Sequence, residues 1–294
     1  MLIPEELDRI CIVLVRARNP NNIGAAARAM HDFGLRHLRV VNDFPVPFES
    51  ARSAVDANDV LASAVACATL AEAVADCTLV VGTTAVGERD LQHPLLPLAE
   101  AAPRLRAELR RSRSSSHNES VSEEVSASRG AGILPDSNPG RVALLFGSEK
   151  TGLSNEEMSH CNWLLTIPMQ PYADVRHASM NLGQAVAVCL YELVRDESEP
   201  RKLARDEPQP QSLAGDPANS PAAESPTTAA DLERLTTLLA ETLEKSGYLR
   251  RHPANCEPAQ LRRLLRRMAA DANDAPIWMG IFRQLLWKIR RACD

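Results

Sequence analysis

A chain of 294 residues with 45% hydrophobic content is long enough for two domains and a sizeable core. It has no run of 18 apolar residues, so no membrane span is expected, and the acidic start MLIPEELDRI does not read as a signal peptide. The net charge of −5 argues mildly against a nucleic-acid partner, and the odd count of seven cysteines, with no C-x-x-C pair, speaks against a zinc site or disulfide framework and for a reducing cytoplasm.

The first element is a β-branched run at 10–15, read as a strand. It is followed by RARNPNNIGAAARAM (16–30), where Asn-Pro-Asn-Asn breaks the run and an alanine-rich helix restarts over 23–33. Asn22 and Gly24 are expected in the turn. Arg28 is placed about one helical turn later, where its guanidinium can reach back to hold a phosphate or ribose. Alone, this pattern also fits a turn followed by a helix with a solvated arginine.

Further strands are expected at 37–41 and 78–82, and helices at about 56–75 and 98–111. This βαβαβ order predicts a parallel sheet covered by helices. Residues 111–140, with nine serines, read as a disordered insertion. The α/β pattern then resumes with a buried strand at 141–147 and a short helix at 154–160, capped by Ser154 with Glu157 in the capping-box position. A strand at 163–167 and a helix at 180–194, N-capped by Ser179, complete it.

Residues 195–230 are rich in Pro, Ala, Ser and acidic side chains and read as a flexible linker. Residues 231–294 read as three amphipathic helices. They hold 12 Lys/Arg against 8 Asp/Glu, and residues 16–39 hold five arginines against one aspartate. Two basic patches on an acidic body are compatible with RNA binding.

Three segments place polar or small residues directly after a strand, where ligands gather in open α/β sheets. The first is Asn22-x-Gly24-x-x-x-Arg28. The second is PheGlySerGluLysThrGlyLeuSer (146–154), whose glycines permit close backbone approach. It is not a P-loop, because Leu153 stands where that motif needs lysine. The third is IlePro (167–168) followed by SerMetAsnLeu (179–182), where Ser179 and Asn181 also fit plain capping. No dinucleotide fingerprint follows a strand, and no nucleophile elbow or H-E-x-x-H occurs.

In this order the three segments resemble the motifs of the SPOUT-class RNA 2′-O-methyltransferases of the TrmH/TrmJ family, over about 1–110 and 141–194. The C-terminal helices resemble the extension found in part of that family. The resemblance implies an α/β fold: a SPOUT-type parallel sheet with a C-terminal trefoil knot, followed by a small all-helical domain. It divides the chain into a methyltransferase domain (1–194, carrying the 111–140 insertion), a linker (195–230) and a helical tRNA-binding extension (231–294).

The implied activity is transfer of a methyl group from S-adenosylmethionine to the ribose 2′-hydroxyl of nucleotide 32, C or U, in the tRNA anticodon loop. The protein would be a cytoplasmic homodimer, with no metal and no membrane partner. Arg28, Asn22, Glu149, Ser179 and Asn181 carry over as catalytic-site residues. Glu149 would hold an arginine within or across the dimer. Cofactor contacts carry over to Thr83, Thr84, Ala85, Gly147, Ile167, Ala178, Ser179 and Met180.

Two departures stand out. The segment reads Ser-Met-Asn-Leu-Gly where the family commonly has Ser-Leu-Asn-Leu-Ala, so Gly183, costly in a helix, is expected at a close contact. The 167–179 loop also appears longer than usual, with ValArgHis inserted. The alternative functions are 2′-O-methylation of another RNA, or a non-catalytic RNA-binding module of the same fold.

Overall fold

The computed structural model describes residues 2–42, 56–85, 91–119, 140–170, 180–195, 226–255 and 257–293. After a single-turn helix α1 (Pro4–Leu7), strand β1 (Ile10–Val15) is buried at every position. Its side chains alternate between two cores. Ile10, Ile12 and Leu14 face one, and Cys11, Val13 and Val15 face the other. A strand buried on both faces is a continuous apolar run, as parallel sheets covered by helices require.

The sheet has seven strands, all parallel: β1, β2 (His37–Val41), β3 (Val65–Cys67), β4 (Cys77–Thr83), β5 (Leu95–Pro97), β6 (Arg141–Phe146) and β7 (Trp163–Thr166). Their spatial order is β3-β2-β1-β6-β4-β7-β5. The first core lies under helices α2 (Pro20–Asp32), α5 (Leu98–Glu119) and α7 (Leu182–Val194). The second lies under α4 (Leu70–Ala73) and α6 (Asn155–Met158).

Several elements differ from the sequence reading. The expected helix at 56–75 is instead α3 (Asn58–Ala62), strand β3 and α4, because the alanine-rich run pairs with β2 at the sheet edge. Helix α2 begins at Pro20 rather than 23. Proline's fixed φ suits the first helical position, and the Asn19 side chain caps the Asn21 N–H at 3.0 Å. This moves Asn22 and Gly24 out of the turn and into the helix. Helix α5 runs on to Glu119, beyond the expected insertion boundary at 111, and 120–139 lies outside the described residues. Where the chain returns, the Arg9 guanidinium bonds both the Leu109 and Gly140 carbonyls, tying the middle of α5 to the start of β6.

Residues 226–293 supply α8 (Ala229–Lys245), α9 (Tyr248–Arg251), a 3-10 turn (Pro253–Asn255), α10 (Pro258–Met268) and α11 (Asp274–Cys293). Helix α8, capped by Thr228, starts two residues before the expected boundary at 231, and 196–225 lies outside the described residues. Leu235, Leu265, Ala275 and Phe282 form a separate small core among α8, α10 and α11.

This extension packs on the second face of the sheet. Ala229 joins that core, and the Ala230 N–H bonds the Ala75 carbonyl. Buried Arg262 reaches Glu233 at 2.8 and 2.9 Å, Glu156 at 2.8 Å and Ser159 at 2.7 Å. No helix among the described residues is long and apolar enough to cross a membrane. None of their His, Cys, Asp or Glu side chains form a group of three placed to hold a metal ion.

Candidate active site

In a parallel sheet all carboxyl ends lie on one edge. Here β1, β6, β4 and β7 are consecutive neighbours, so the segments that follow them are brought side by side. The chain leaves β1 towards β2 and later returns to place β6 between β1 and β4. The carboxyl ends of β1, β6 and β4 therefore meet at a point where strand order reverses, and open α/β sheets bind ligands in the crevice at such a point.

Two of the motif segments meet through helix packing. Helix α7 lies against α2, and a Cβ on Gly183 would stand 2.5 Å from the Ala25 Cβ. The glycine that departs from the family pattern is therefore the point of closest approach. The first turns of α2 and α7 then share a line of hydrogen bonds. Asn181 Nδ2 donates to Asn22 Oδ1 at 3.1 Å, and Asn22 Nδ2 donates to Glu149 Oε1 at 3.0 Å. Asn181 Oδ1 in turn accepts the Gly183 N–H at 2.9 Å, capping α7. Asn181, not Ser179, is thus the N-cap, and the helix begins at Leu182 rather than 180. Glu149 is the acceptor for Asn22.

The loop after β6 folds back on itself. The Gly152 N–H bonds the Ser148 carbonyl at 2.9 Å, and Ser148 Oγ stands 2.9 Å from Thr151 Oγ1. Gly152 has φ +65°, a left-handed conformation that glycine adopts without strain. A Cβ on Gly147 would meet the Gly152 carbonyl carbon at 2.1 Å, so only glycine lets the two arms close.

A clamp that the sequence reading missed holds this loop from outside. Arg16, directly after β1, grips Glu157 with Nε to Oε1 at 2.6 Å and Nη2 to Oε2 at 2.9 Å, and also donates to the Gly152 carbonyl at 3.0 Å. Glu157 completes the capping box by accepting the Ser154 N–H. Burial pushes the Glu157 carboxyl up, but the Arg16 guanidinium and the Ser154 N–H outweigh it and hold it below its usual range. Two signals existed for this clamp: the capping box itself and the arginine-rich stretch at 16–39.

The residues expected to bind a cofactor line the same edge. Thr83 Oγ1 donates to the Leu145 carbonyl at 2.9 Å, and the Thr84 N–H to the Leu165 carbonyl at 3.0 Å, joining the ends of β4, β6 and β7. Ala85 is exposed, whereas Gly147, Ile167 and Met180 are half-buried. Ala178 and Ser179 lie outside the described residues. Arg28 is exposed and has no hydrogen bond or ion pair among the described residues. It lies on α2 three residues beyond Ala25, so it emerges beside the contact with α7.

Residues 9–191 match the SpoU rRNA Methylase family. The chain is 32% identical over 285 residues to the tRNA (cytidine/uridine-2′-O-)-methyltransferase TrmJ of Yersinia pestis (strain Pestoides F), covering 95% of this chain and 92% of that protein. It is 31% identical over 280 residues to TrmJ of Salmonella typhimurium, covering 95% and 97%. Among solved structures, TrmJ from Z. mobilis ZM4 superposes with a TM-score of 0.67 at 27% identity, covering 94% of this chain and 98% of that one.

Proposed function

The chain belongs to the SpoU methylase family, and from that premise we propose that it methylates the ribose 2′-hydroxyl of nucleotide 32, C or U, in the tRNA anticodon loop. It is an S-adenosylmethionine-dependent tRNA 2′-O-methyltransferase, and the relatives that match nearly its whole length are named tRNA (cytidine/uridine-2′-O-)-methyltransferases. The observation that carries the reading is the line Glu149–Asn22–Asn181, which joins all three motif segments at one crevice. In this reading 1–194 is the methyltransferase domain, 195–230 a linker and 231–294 the tRNA-binding extension. The enzyme works as a cytoplasmic homodimer without a metal. The family's trefoil knot is part of the proposal, since threading depends on connections that include 86–90 and 171–179, outside the described residues.

The edge formed by β4, β6 and β7 fits S-adenosylmethionine. Small residues there, Thr84, Ala85, Gly147 and Ser148, leave main-chain groups open to hydrogen bonding. A Cβ at Gly152 would point into open space, and half-buried Ile167 offers an apolar wall. Thr83, Thr84, Ala85, Gly147, Ile167, Ala178, Ser179 and Met180 would hold the cofactor, which supplies a methyl group on positively charged sulfur. The 2′-oxygen must be aligned with that group and must lose its proton.

Arg28 serves the oxygen. A guanidinium stays protonated, so it is no general base. It orients the ribose and an adjacent phosphate bidentately and stabilises negative charge developing on the 2′-oxygen. Asn22, held between Glu149 and Asn181, fixes the start of α2 and therefore the position of Arg28. Ser179 is the remaining member of the proposed set.

Mass spectrometry of nucleosides from tRNA, with and without the gene, tests the reading. Loss of 2′-O-methylation at position 32 is the expected result. Unchanged tRNA with a methyl group missing from ribosomal RNA would sink the substrate assignment.

A further inference from the structure

Helix α10 carries four arginines on neighbouring turns, and their surroundings differ. Arg262 is fully paired by Glu233, Glu156 and Ser159. Arg266, one turn on, is 8% exposed, and its Nε and Nη2 are buried without a hydrogen-bond partner among the described residues. The carboxylate whose field reaches it, Glu233, is already committed to Arg262, and its other titratable neighbours are Cys161 and Arg262 itself.

In the segment that leads into β5, His93 also has a buried Nε2 with no hydrogen-bond partner among the described residues. The charges of Arg263, Arg266 and Arg267 reach that ring. Burial and these three charges push His93 down to about 4, and burial pushes Arg266 down to about 10.

Buried polar groups in folded proteins almost always have partners, and a buried guanidinium without an anion is costly. Three unpartnered nitrogens within one cationic cluster are what an anion with several acceptor oxygens would satisfy. Arg263 is half-buried and Arg267 exposed, so the cluster reaches the surface and a ligand can enter along them.

We propose that the seam between α10 and the segment before β5 is a phosphate-group site, in which Arg266 and His93 grip the anion and Arg263 and Arg267 stand at its mouth. A guanidinium presents paired N–H donors that match phosphate oxygens, and His93 adds a third donor from Nε2. The phosphate comes from an RNA backbone or from a free phosphate ion. The RNA source rests on the tRNA reading above; the site itself does not.

The test uses the full-length protein in two arms. In the first, inorganic phosphate is titrated while the His93 imidazole resonances are followed by NMR. Saturable shifts are expected, with the His93 pKa moving up as phosphate binds. Arg266→Met, which keeps the length of the side chain, should weaken binding at least tenfold, and Arg267→Gln by a smaller factor.

In the second arm, tRNA binding is measured against salt concentration. If the phosphate belongs to RNA, Arg266→Met lowers affinity about tenfold and reduces the slope of log K against log salt by about one. If tRNA affinity is unchanged while phosphate binding is lost, the site stands and takes the free ion. The wild-type titration needs no variant. No shift at His93 in the wild type, or equal phosphate binding by wild type and Arg266→Met, overturns the proposal.

Discussion

Arg28 and Asn22 stand on one helix and do different work. Arg28 has no partner among the described residues to release, so Arg28→Ala should leave the fold and cofactor binding intact. It should lower methyl transfer by about 100-fold or more, the scale for removing a donor that stabilises developing charge. Turnover measured beside calorimetric cofactor titration separates the two effects, and equal loss in both would show that Arg28 instead builds the cofactor site. Asn22 donates to Glu149 and accepts from Asn181. Asn22→Asp keeps the acceptor and sets a carboxylate against Glu149, so we expect about a tenfold loss of activity. Adding Glu149→Gln restores a donor to that pair, and the double variant should regain most of the loss. A double variant weaker than either single change would refute the link.

The contact of α2 with α7 turns on one atom. Gly183→Ala places a methyl 2.5 Å from the Ala25 Cβ and 3.2 Å from the Ala25 carbonyl carbon. The two helices must part, at a cost of about 1–3 kcal/mol, and Ala25→Gly in the same chain should recover much of it. Thermal unfolding of the wild type, the two single variants and the double variant measures this. The sequence reading foresaw a close contact at Gly183 from helix propensity alone, but the partner 158 positions away was invisible to it.

The same holds more widely among the elements. Strands β1, β2, β4, β6 and β7 were legible because their apolar runs are continuous and flanked by turn residues. The stretch 56–75 was not, since an alanine-rich run has the composition of a helix, and only pairing with β2 makes 65–67 a strand. Strand β5 went unread because three residues ending in proline give no period. The motif segments and their residue types were readable. The hydrogen bonds that assemble them, and the Arg16 clamp on Glu157, span more than a hundred residues of chain and emerge only from the fold.

At the scale of the whole molecule, the helical extension and the sheet share a buried ionic seam whose stability should follow pH. His160 lies there, 7% exposed, and burial together with the Arg262 charge pushes its pKa down to about 4 despite nearby Glu233. The unfolded chain takes up a proton on this ring near pH 6.5, whereas the folded chain does so only near 4. Acidification from 6.5 towards 4 therefore favours unfolding, by at most about 3 kcal/mol for this group. Denaturant unfolding across that range should show the decline, and His160→Gln should flatten it; an unaltered slope in that variant would rule His160 out as the cause.

The strand order has a further consequence, in time rather than in space. The chain makes β1 through β5 before the two strands that join them, because β6 bonds β1 to β4 and β7 bonds β4 to β5. Ile10 waits for Val142, and parallel pairing at such separation is slow. Until then β1 and β4 present open edges, the form most prone to association with other chains. The crevice cannot precede this closure, since its Glu149 wall is the continuation of β6. Competence to bind the cofactor should therefore appear with the last step of sheet assembly, and a nascent chain that ends before residue 141 has no partial version of the site.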